Sequence, residues 1–350
     1  VSSNIFSMGR ISRREKDMNM SKRVAVLTSG GDAPGMNACI RAIVIACERH
    51  GFTLFGYQHG YNGLLEQEYE ILALQATHNL IQQGGTVLHS ARCEPFKTDE
   101  GAKTAATNLT ELEIDTLIVI GGDGSFRGAD HLADFWHGQI IGIPGTIDND
   151  VAGTDATIGY YTAIDTVVSS IDKVRDTADA FERIFIVEVM GRHAGFLALN
   201  SALASAADYV ILPETFDQCD TELDKITGQI EKRRQRKGAI SFIIVVAENV
   251  WPGGLNDLAD KLVSKTQSEV RPVTLGHVQR GGSPVSQDRL LATKLGTYAV
   301  SLVGSDTNGI MVGELNGTPS EIALTETWEK DKPLNPSSME TMLTIMNERY

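Results

Sequence analysis

Between Val24 and Asp150 the chain three times drives a short apolar run into a polar loop of small residues. Val24 to Thr28 enters Ser29-Gly30-Gly31-Asp32-Ala33-Pro34-Gly35-Met36-Asn37, and Asp115 to Ile120 enters Gly121-Gly122-Asp123-Gly124-Ser125. Gln139 to Ile143 enters Pro144-Gly145-Thr146-Ile147-Asp148-Asn149-Asp150. Short apolar runs closed by Gly and Pro read as buried strands. Strands alternating with helical patterns favour a doubly wound parallel sheet, which carries such loops to one edge, where ligands bind.

The three loops differ in chemistry. The third packs a hydroxyl, two carboxylates and an amide into five residues; two carboxylates so close can divide labour, one holding a cation and the other taking a proton. Asp and Asn also dominate turns for local reasons, so an Asx-rich turn stays open as an alternative. In the first loop, glycines let the backbone approach a ligand, and the following helix start offers amides to an anion. Its spacing fits neither GxGxxG nor a P-loop, and a plain strand-to-helix turn is the local alternative. In the second, Asp123 among glycines can hold magnesium, and the missing side chain at 124 leaves room for a nucleotide.

A chain of 350 residues exceeds what one core usually supports, so two packed domains are expected. The net charge of −14 argues against general nucleic-acid or anionic-membrane partners, and an anionic substrate would need a locally basic site. The cysteines at 39, 47, 93 and 219 form neither CxxC pairs nor a disulfide framework, which points to a reducing cytoplasm. Residues 1–20 are basic without a long apolar run; they read as a disordered extension, or as an over-long start upstream of Met18 or Met20. No later window approaches eighteen uninterrupted apolar residues, so no membrane span is expected.

Further along, Ser90-Ala91-Arg92 ends a small-residue loop in a cation that is a phosphate clamp or a solvated arginine. A second α/β unit follows: a helix near 160–175, a strand over 184–189 running into Met190-Gly191-Arg192, and a strand at 208–212. A strongly apolar strand from Ile240 to Ala247 ends at Glu248. The basic run 231–237 reads mainly as a solvated helix end. Arg271, His277 and Arg280 surround an apolar segment and could enclose a phosphorylated small molecule. A helix is expected near 286–303, and the tail from Leu315 reads as terminal elements with little chemistry.

Taken together, LTSGGDAPGMN at 27–37, IGGDGS at 120–125, PGTIDND at 144–150, VEVMGR at 187–192 and LGHVQRGGSP at 275–284 resemble bacterial 6-phosphofructokinases, in the same order. The resemblance implies an α/β fold of two Rossmann-like domains with mostly parallel sheets and the active site in the cleft between them. Residues 22–158 plus 276–327 would bind nucleotide, and 159–275 plus 328–350 the sugar phosphate. It implies transfer from ATP to the 1-hydroxyl of fructose 6-phosphate, with Asp148 as base, Thr146 beside the phosphoryl group, Arg192 assisting and Asp123 at magnesium.

Gly31, Arg92, Cys93, Gly122, Gly124 and Ser125 fall on the family's ATP positions. Ile147, Met190, Gly191, Glu248, His277, Val278, Gln279 and Arg280 fall with Thr146, Asp148 and Arg192 on its sugar-phosphate positions. Arg183 and Arg271 match arginines that reach in from a neighbouring subunit of a homotetramer. Arg41, Arg175, Asp208 and Lys237 match part of the family's effector site, where Ile45, Leu74 and Ala239 replace cations, so a weak or altered effector response is expected. Lys97 stands where an arginine is common. Three rivals remain: a pyrophosphate-dependent sister enzyme, which characteristically has Asp at 124 and Lys at 145; a non-catalytic regulatory subunit; and a kinase for another phosphorylated ketose.

Overall fold

A computed structural model of the chain describes residues 21–237 and 241–348. In order, its elements are β1 (Arg23–Thr28), α1 (Met36–His50), β2 (Thr53–Tyr57), α2 (Tyr61–Glu66), β3 (Tyr69–Ile71), α3 (Asp99–Glu111), β4 (Thr116–Gly121), α4 (Asp123–Ala133) and β5 (Gln139–Pro144). Then come α5 (Tyr160–Phe181), β6 (Ile184–Val189), α6 (Phe196–Ala204), β7 (Tyr209–Ile211), α7 (Cys219–Lys237), β8 (Phe242–Ala247), α8 (Gly254–Thr266) and β9 (Val270–Thr274). The chain ends with α9 (Ser286–Ser301), β10 (Ile310–Leu315), β11 (Thr318–Ala323), α10 (Glu326–Glu329) and α11 (Pro336–Glu348). The expectations for residues 1–20 and for Ala239 lie outside the described residues.

The seven-stranded sheet has the order β11-β10-β5-β4-β1-β2-β3, antiparallel only at its two edge pairs. Every residue of β4 is buried, as a strand covered on both faces requires. Alternation sorts its side chains: Ile118 and Ile120 join one apolar cluster, Leu117 and Val119 another. The chain leaves β1 towards β2 and returns on the other side as β4, so the strand order reverses between β1 and β4. A crevice opens outside the carboxyl ends of strands at such a reversal.

The second sheet, β7-β8-β6-β9, is wholly parallel. Its inner face contributes Val187, Val210 and Val245 to the same cluster that holds Val24, Ile118 and Ile141 of the first sheet, with Ala163 and Val167 of α5 between them. Two corrections concern the later chain. The tail from Leu315 is not without chemistry, because Nζ of Lys332 donates to Asn149 Oδ1 at 2.8 Å in the loop that carries Asp148. The basic run is not simply solvated either: Arg233 pairs with buried Asp208, and Arg234 donates to the Thr266 carbonyl at 3.1 Å.

Helix α5 begins on the first glycine loop, where Gly159 has φ 101°, and a Cβ there would lie 2.6 Å from that of Ala33. Its first turn has no side-chain cap of its own. Buried Asp288 on α9 supplies one, accepting from Gly159 N at 2.8 Å, Thr162 N at 2.7 Å and the Thr162 hydroxyl at 2.6 Å. Asp288→Ala strands two backbone donors at a cost of about 1–3 kcal/mol each, partly offset by removing a buried carboxylate. A loss of about 2–4 kcal/mol is predicted, read as a lower urea midpoint with native circular dichroism retained before the transition.

Candidate active site

The carboxyl ends of both sheets face a cleft of about 930 Å³. The first sheet supplies three loops in register: Ser29 N donates to the Ile120 carbonyl at 3.0 Å, and Gly145 N to the Gly121 carbonyl at 2.8 Å. The second sheet supplies Met190 and Arg192 after β6, Glu248 after β8 and His277 after β9. Adjacent strand exits bring these together, since Val189 pairs with Ala247 and Glu188 with Thr274.

On the first-sheet side, α4 starts at Asp123 immediately after Gly122, so its leading amides and its positive dipole end face the cleft. Asp123 pairs with Arg127 one turn on, at 2.8 Å. Tyr61 donates to the Ser125 carbonyl at 2.5 Å and stacks on Phe96 at 4.0 Å between ring centroids, forming an aromatic wall. Arg92, Cys93 and Lys97 line the same end. Gly31 is a matter of space: a Cβ there would lie 2.5 Å from Nη1 of Arg280, which donates to the Asp32 carbonyl at 3.2 Å.

At the junction lies Asp148, a buried carboxylate whose Oδ1 accepts no hydrogen bond. Arg280 approaches that oxygen to 3.9 Å. Burial pushes the Asp148 carboxyl up to about 6, the negative charge of Asp150 adds to this, and Arg280 opposes it. Burial also raises Asp150. Across the cleft, Glu248 Oε1 accepts from Gly191 N at 3.2 Å and Arg192 N at 2.7 Å, holding a loop in which Gly191 has φ 142° and Arg192 φ 61°. The side-chain Oε1 of Gln279 accepts from Met190 N at 3.1 Å, bracing the same loop.

The cleft thus gathers Gly31, Arg92, Cys93, Gly122, Asp123, Gly124, Ser125, Thr146, Asp148, Met190, Arg192, Glu248, His277 and Arg280. Ile147 and Gln279 are buried beside it, Gly191 is buried in the 190–192 loop, and Val278 is exposed without lining it. Arg183 and Arg271 stand at the opposite end of the second sheet, both paired with Glu269. Of the expected effector residues whose side chains are described, Arg41, Arg175 and Asp208, none lines the cleft. Arg175 donates to the carbonyls of Ser205 and Ala206, Asp208 accepts from Ile243 N, Arg41 is half-buried on α1, and the Lys237 side chain lies outside what is described. Sequence reasoning did not assign Asp150 or Arg127. Asp150 was visible as the second acid of its motif, and Arg127 as a cation four residues from Asp123 on one helix face.

The phosphofructokinase family model matches residues 23–303. ATP-dependent 6-phosphofructokinase 1 of Thermus thermophilus is 45% identical over 314 residues, covering 90% of this chain and 96% of that protein. The chain belongs to the phosphofructokinase family. The solved phosphofructokinase of Saccharomyces cerevisiae superposes with a TM-score of 0.82 at 34% identity, over 93% of this chain and 47% of the yeast polypeptide, so this chain spans about half of it. A pyrophosphate-dependent phosphofructokinase from Marinobacter aquaeolei shares the fold, with a TM-score of 0.77 at 20% identity over 93% of this chain and 91% of that one.

For this phosphofructokinase, the position of Asp148 sets an expected acid limit. A carboxylate must be ionised to take a proton, so if Asp148 is the proton acceptor, turnover should fall as the pH drops through about 6. Asp150→Asn removes a negative neighbour and should move that limb to lower pH. A pH profile of kcat in both proteins checks this; an unmoved limb would assign it to the substrate's own phosphate, whose second pKa is also about 6.

Proposed function

We infer that the chain transfers the terminal phosphoryl group of ATP to the 1-hydroxyl of fructose 6-phosphate, giving fructose 1,6-bisphosphate, the phosphofructokinase step of glycolysis. One observation carries the reading: a buried carboxylate oxygen at Asp148 that accepts no hydrogen bond, set between a glycine-lined helix start and a wall bearing Arg192, His277 and Arg280. Phosphoryl transfer leaves a protein little covalent chemistry, so catalysis rests on alignment and charge stabilisation. This cleft can supply both.

In this reading Asp148 takes the proton of the attacking hydroxyl, its raised pKa making it a better base than an exposed aspartate. Thr146, whose Oγ accepts from Asp148 N at 3.2 Å, lies beside the transferring group. Arg192, His277 and Arg280 hold the sugar phosphate, while the amides and side chains of Gly31, Arg92, Cys93, Gly122, Gly124 and Ser125 hold the nucleotide. The cations are local exceptions in an acidic protein, as a dianionic substrate demands. Asp123 and Asp150 face one cleft, and the charge of Asp123 adds to the raising of Asp150; together they are a hard oxygen set that suits magnesium shared with phosphate oxygens. Magnesium there would neutralise developing phosphate charge. Among the described residues no group of three or more His, Cys, Asp or Glu forms a protein-only metal cage.

Several wider assignments belong to the same proposal. The domains follow the two sheets, 22–158 plus 276–327 and 159–275 plus 328–350. The working form is a cytoplasmic homotetramer in which Arg183 and Arg271 serve a neighbouring subunit's substrate; no helix among the described residues is long and apolar enough to cross a membrane. Donor choice favours ATP over pyrophosphate, because a Cβ at Gly124 would meet nothing within 4 Å, leaving that space to a nucleotide. At Gly145 a Cβ would already stand 3.0 Å from Ile120, so a lysine there requires displacement. A non-catalytic subunit is disfavoured by the intact set of Asp123, Thr146, Asp148 and Arg192.

Assaying ATP against pyrophosphate with fructose 6-phosphate and magnesium tests the whole reading, and absence of turnover with either donor would reject it. Asp148→Asn should lower kcat by about 10²–10⁴, roughly 3–5 kcal/mol of barrier, with substrate affinity little changed. Gly124→Asp should raise the Michaelis constant for ATP far more than that for fructose 6-phosphate. Unchanged ATP kinetics in that variant would remove position 124 as a donor determinant.

A further inference from the structure

The Asp148 loop has an underside as well as a cleft face. Asn149, between its two acids, is buried and left-handed at φ 56°, a conformation that asparagine adopts more readily than most non-glycine residues and that its hydrogen bonds here fix. Its side chain is the enforcing hub. Asn149 Oδ1 accepts from Thr157 N at 3.0 Å and from Nζ of Lys332 at 2.8 Å. The Thr157 hydroxyl in turn donates to the Thr146 carbonyl at 2.5 Å, and Lys332 Nζ also reaches the Asp155 carbonyl at 3.4 Å. Asn149 Nδ2 also donates to the Asp155 carbonyl at 3.4 Å, so residues 146, 149, 155 and 157 are tied into one ring. Lys332 adds a cation that bridges Asn149 Oδ1 and that same carbonyl.

Lys332 comes from the tail, 183 residues away in sequence. Its Nζ lies 5.2 Å from the ring centroid of Phe196 on α6, which packs it from the other side. Burial pushes its ammonium down to about 8, while the charges of Asp150 and Asp155 hold it up. The charge also acts on the site: Arg192 and Lys332 are the two cations that oppose the raised pKa of Asp150, Arg192 from the cleft wall and Lys332 from beneath. A role limited to fastening the tail is unnecessary, because buried Leu334, Met342 and Met346 already anchor that segment in the main core.

We propose that Lys332 is a positioning residue for phosphoryl transfer, holding the Thr146–Asp150 loop in its working shape through Asn149 and placing a positive charge behind Asp150. The inference rests on the phosphotransferase reading above. Misplacing a reacting group by about 1 Å can cost about 10²-fold in rate without a matching loss of binding. Lys332→Met should accordingly lower kcat by about 10–100-fold, with both Michaelis constants within about threefold of wild type.

Native-state hydrogen exchange separates this role from general damage. The Thr157 amide, which donates to Asn149, should exchange at least about tenfold faster in Lys332→Met, while the slowest core amides of β4 and β8, which report global opening, keep their rates. If the methionine variant does not fold, Lys332→Gln replaces it; its amide can still reach Asn149 but carries no charge, and a kcat at least about fivefold below wild type is expected. Unchanged exchange at Thr157, or a kcat equal to wild type despite faster exchange, overturns the proposal. Wild-type protein inactive with every donor would instead overturn the phosphotransferase reading, and the exchange comparison would still decide whether Lys332 shapes the loop.

Discussion

The parallel pairing of β1, β4 and β5 is the constraint on which the site depends. Because Thr28, Ile120 and Ile143 lie in one row, the three polar loops leave the sheet at the same level, and the first backbone amide beyond each outer strand still bonds to β4. Covalent continuity with buried strands fixes where these loops start. A site built on strand ends inherits the rigidity of the core beneath it, whereas a site on free loops would spend binding energy on ordering them.

Against this rigid base, electrostatics is arranged to leave one charge incompletely satisfied. Asp148 is buried with an oxygen lacking a hydrogen bond, beside a second acid and with its nearest arginine at 3.9 Å. Protein interiors avoid such an arrangement unless it serves a purpose, since an unsatisfied buried carboxylate costs free energy of the order of kcal/mol. The opposite wall behaves differently: Glu248 is spent on backbone amides, holding Gly191 and Arg192 in strained conformations so that a guanidinium can face the cleft. One carboxylate keeps an oxygen without a hydrogen bond while another is consumed as scaffold.

The strand exits were legible because glycine and proline end apolar runs abruptly, and the chemistry that follows is written in consecutive letters. For that reason Gly31, Asp123, Thr146 and Asp148 could be placed together from sequence. The two roles of Gly31 and Arg280 show the limit. Their separate motifs are visible, but only the folded chain reveals that a side chain at 31 would collide with the arginine's head group. Glu248 was seen as a polar group at a strand end, not as a brace, because its partners are backbone amides that carry no sequence signature. Asp288 and Lys332 were not singled out at all: each is a lone charge in an ordinary context whose meaning lies in contacts over 126 and 183 residues. The tail from Leu315 was misjudged for the same reason, since its Lys332 reaches Asn149 far back in the chain, and β10 just before it likewise gains its place by pairing with β5.

That late strand has a bearing on how the molecule comes into being. During synthesis, β1 to β5 leave the ribosome with the outer flank of β5 unpaired, and the whole second sheet is made before β10 can cover it. Contacts of such sequence separation close slowly, and an open apolar strand edge is a template for wrong partners while it waits. The Asp148 loop sits at the end of β5, the strand that β10 covers. The sheet's last parallel pairing and the contact of Lys332 with Asn149 both come late in the chain, so a ribosome-bound chain still lacking its last elements would hold the glycine loops yet lack the lysine beneath Asn149.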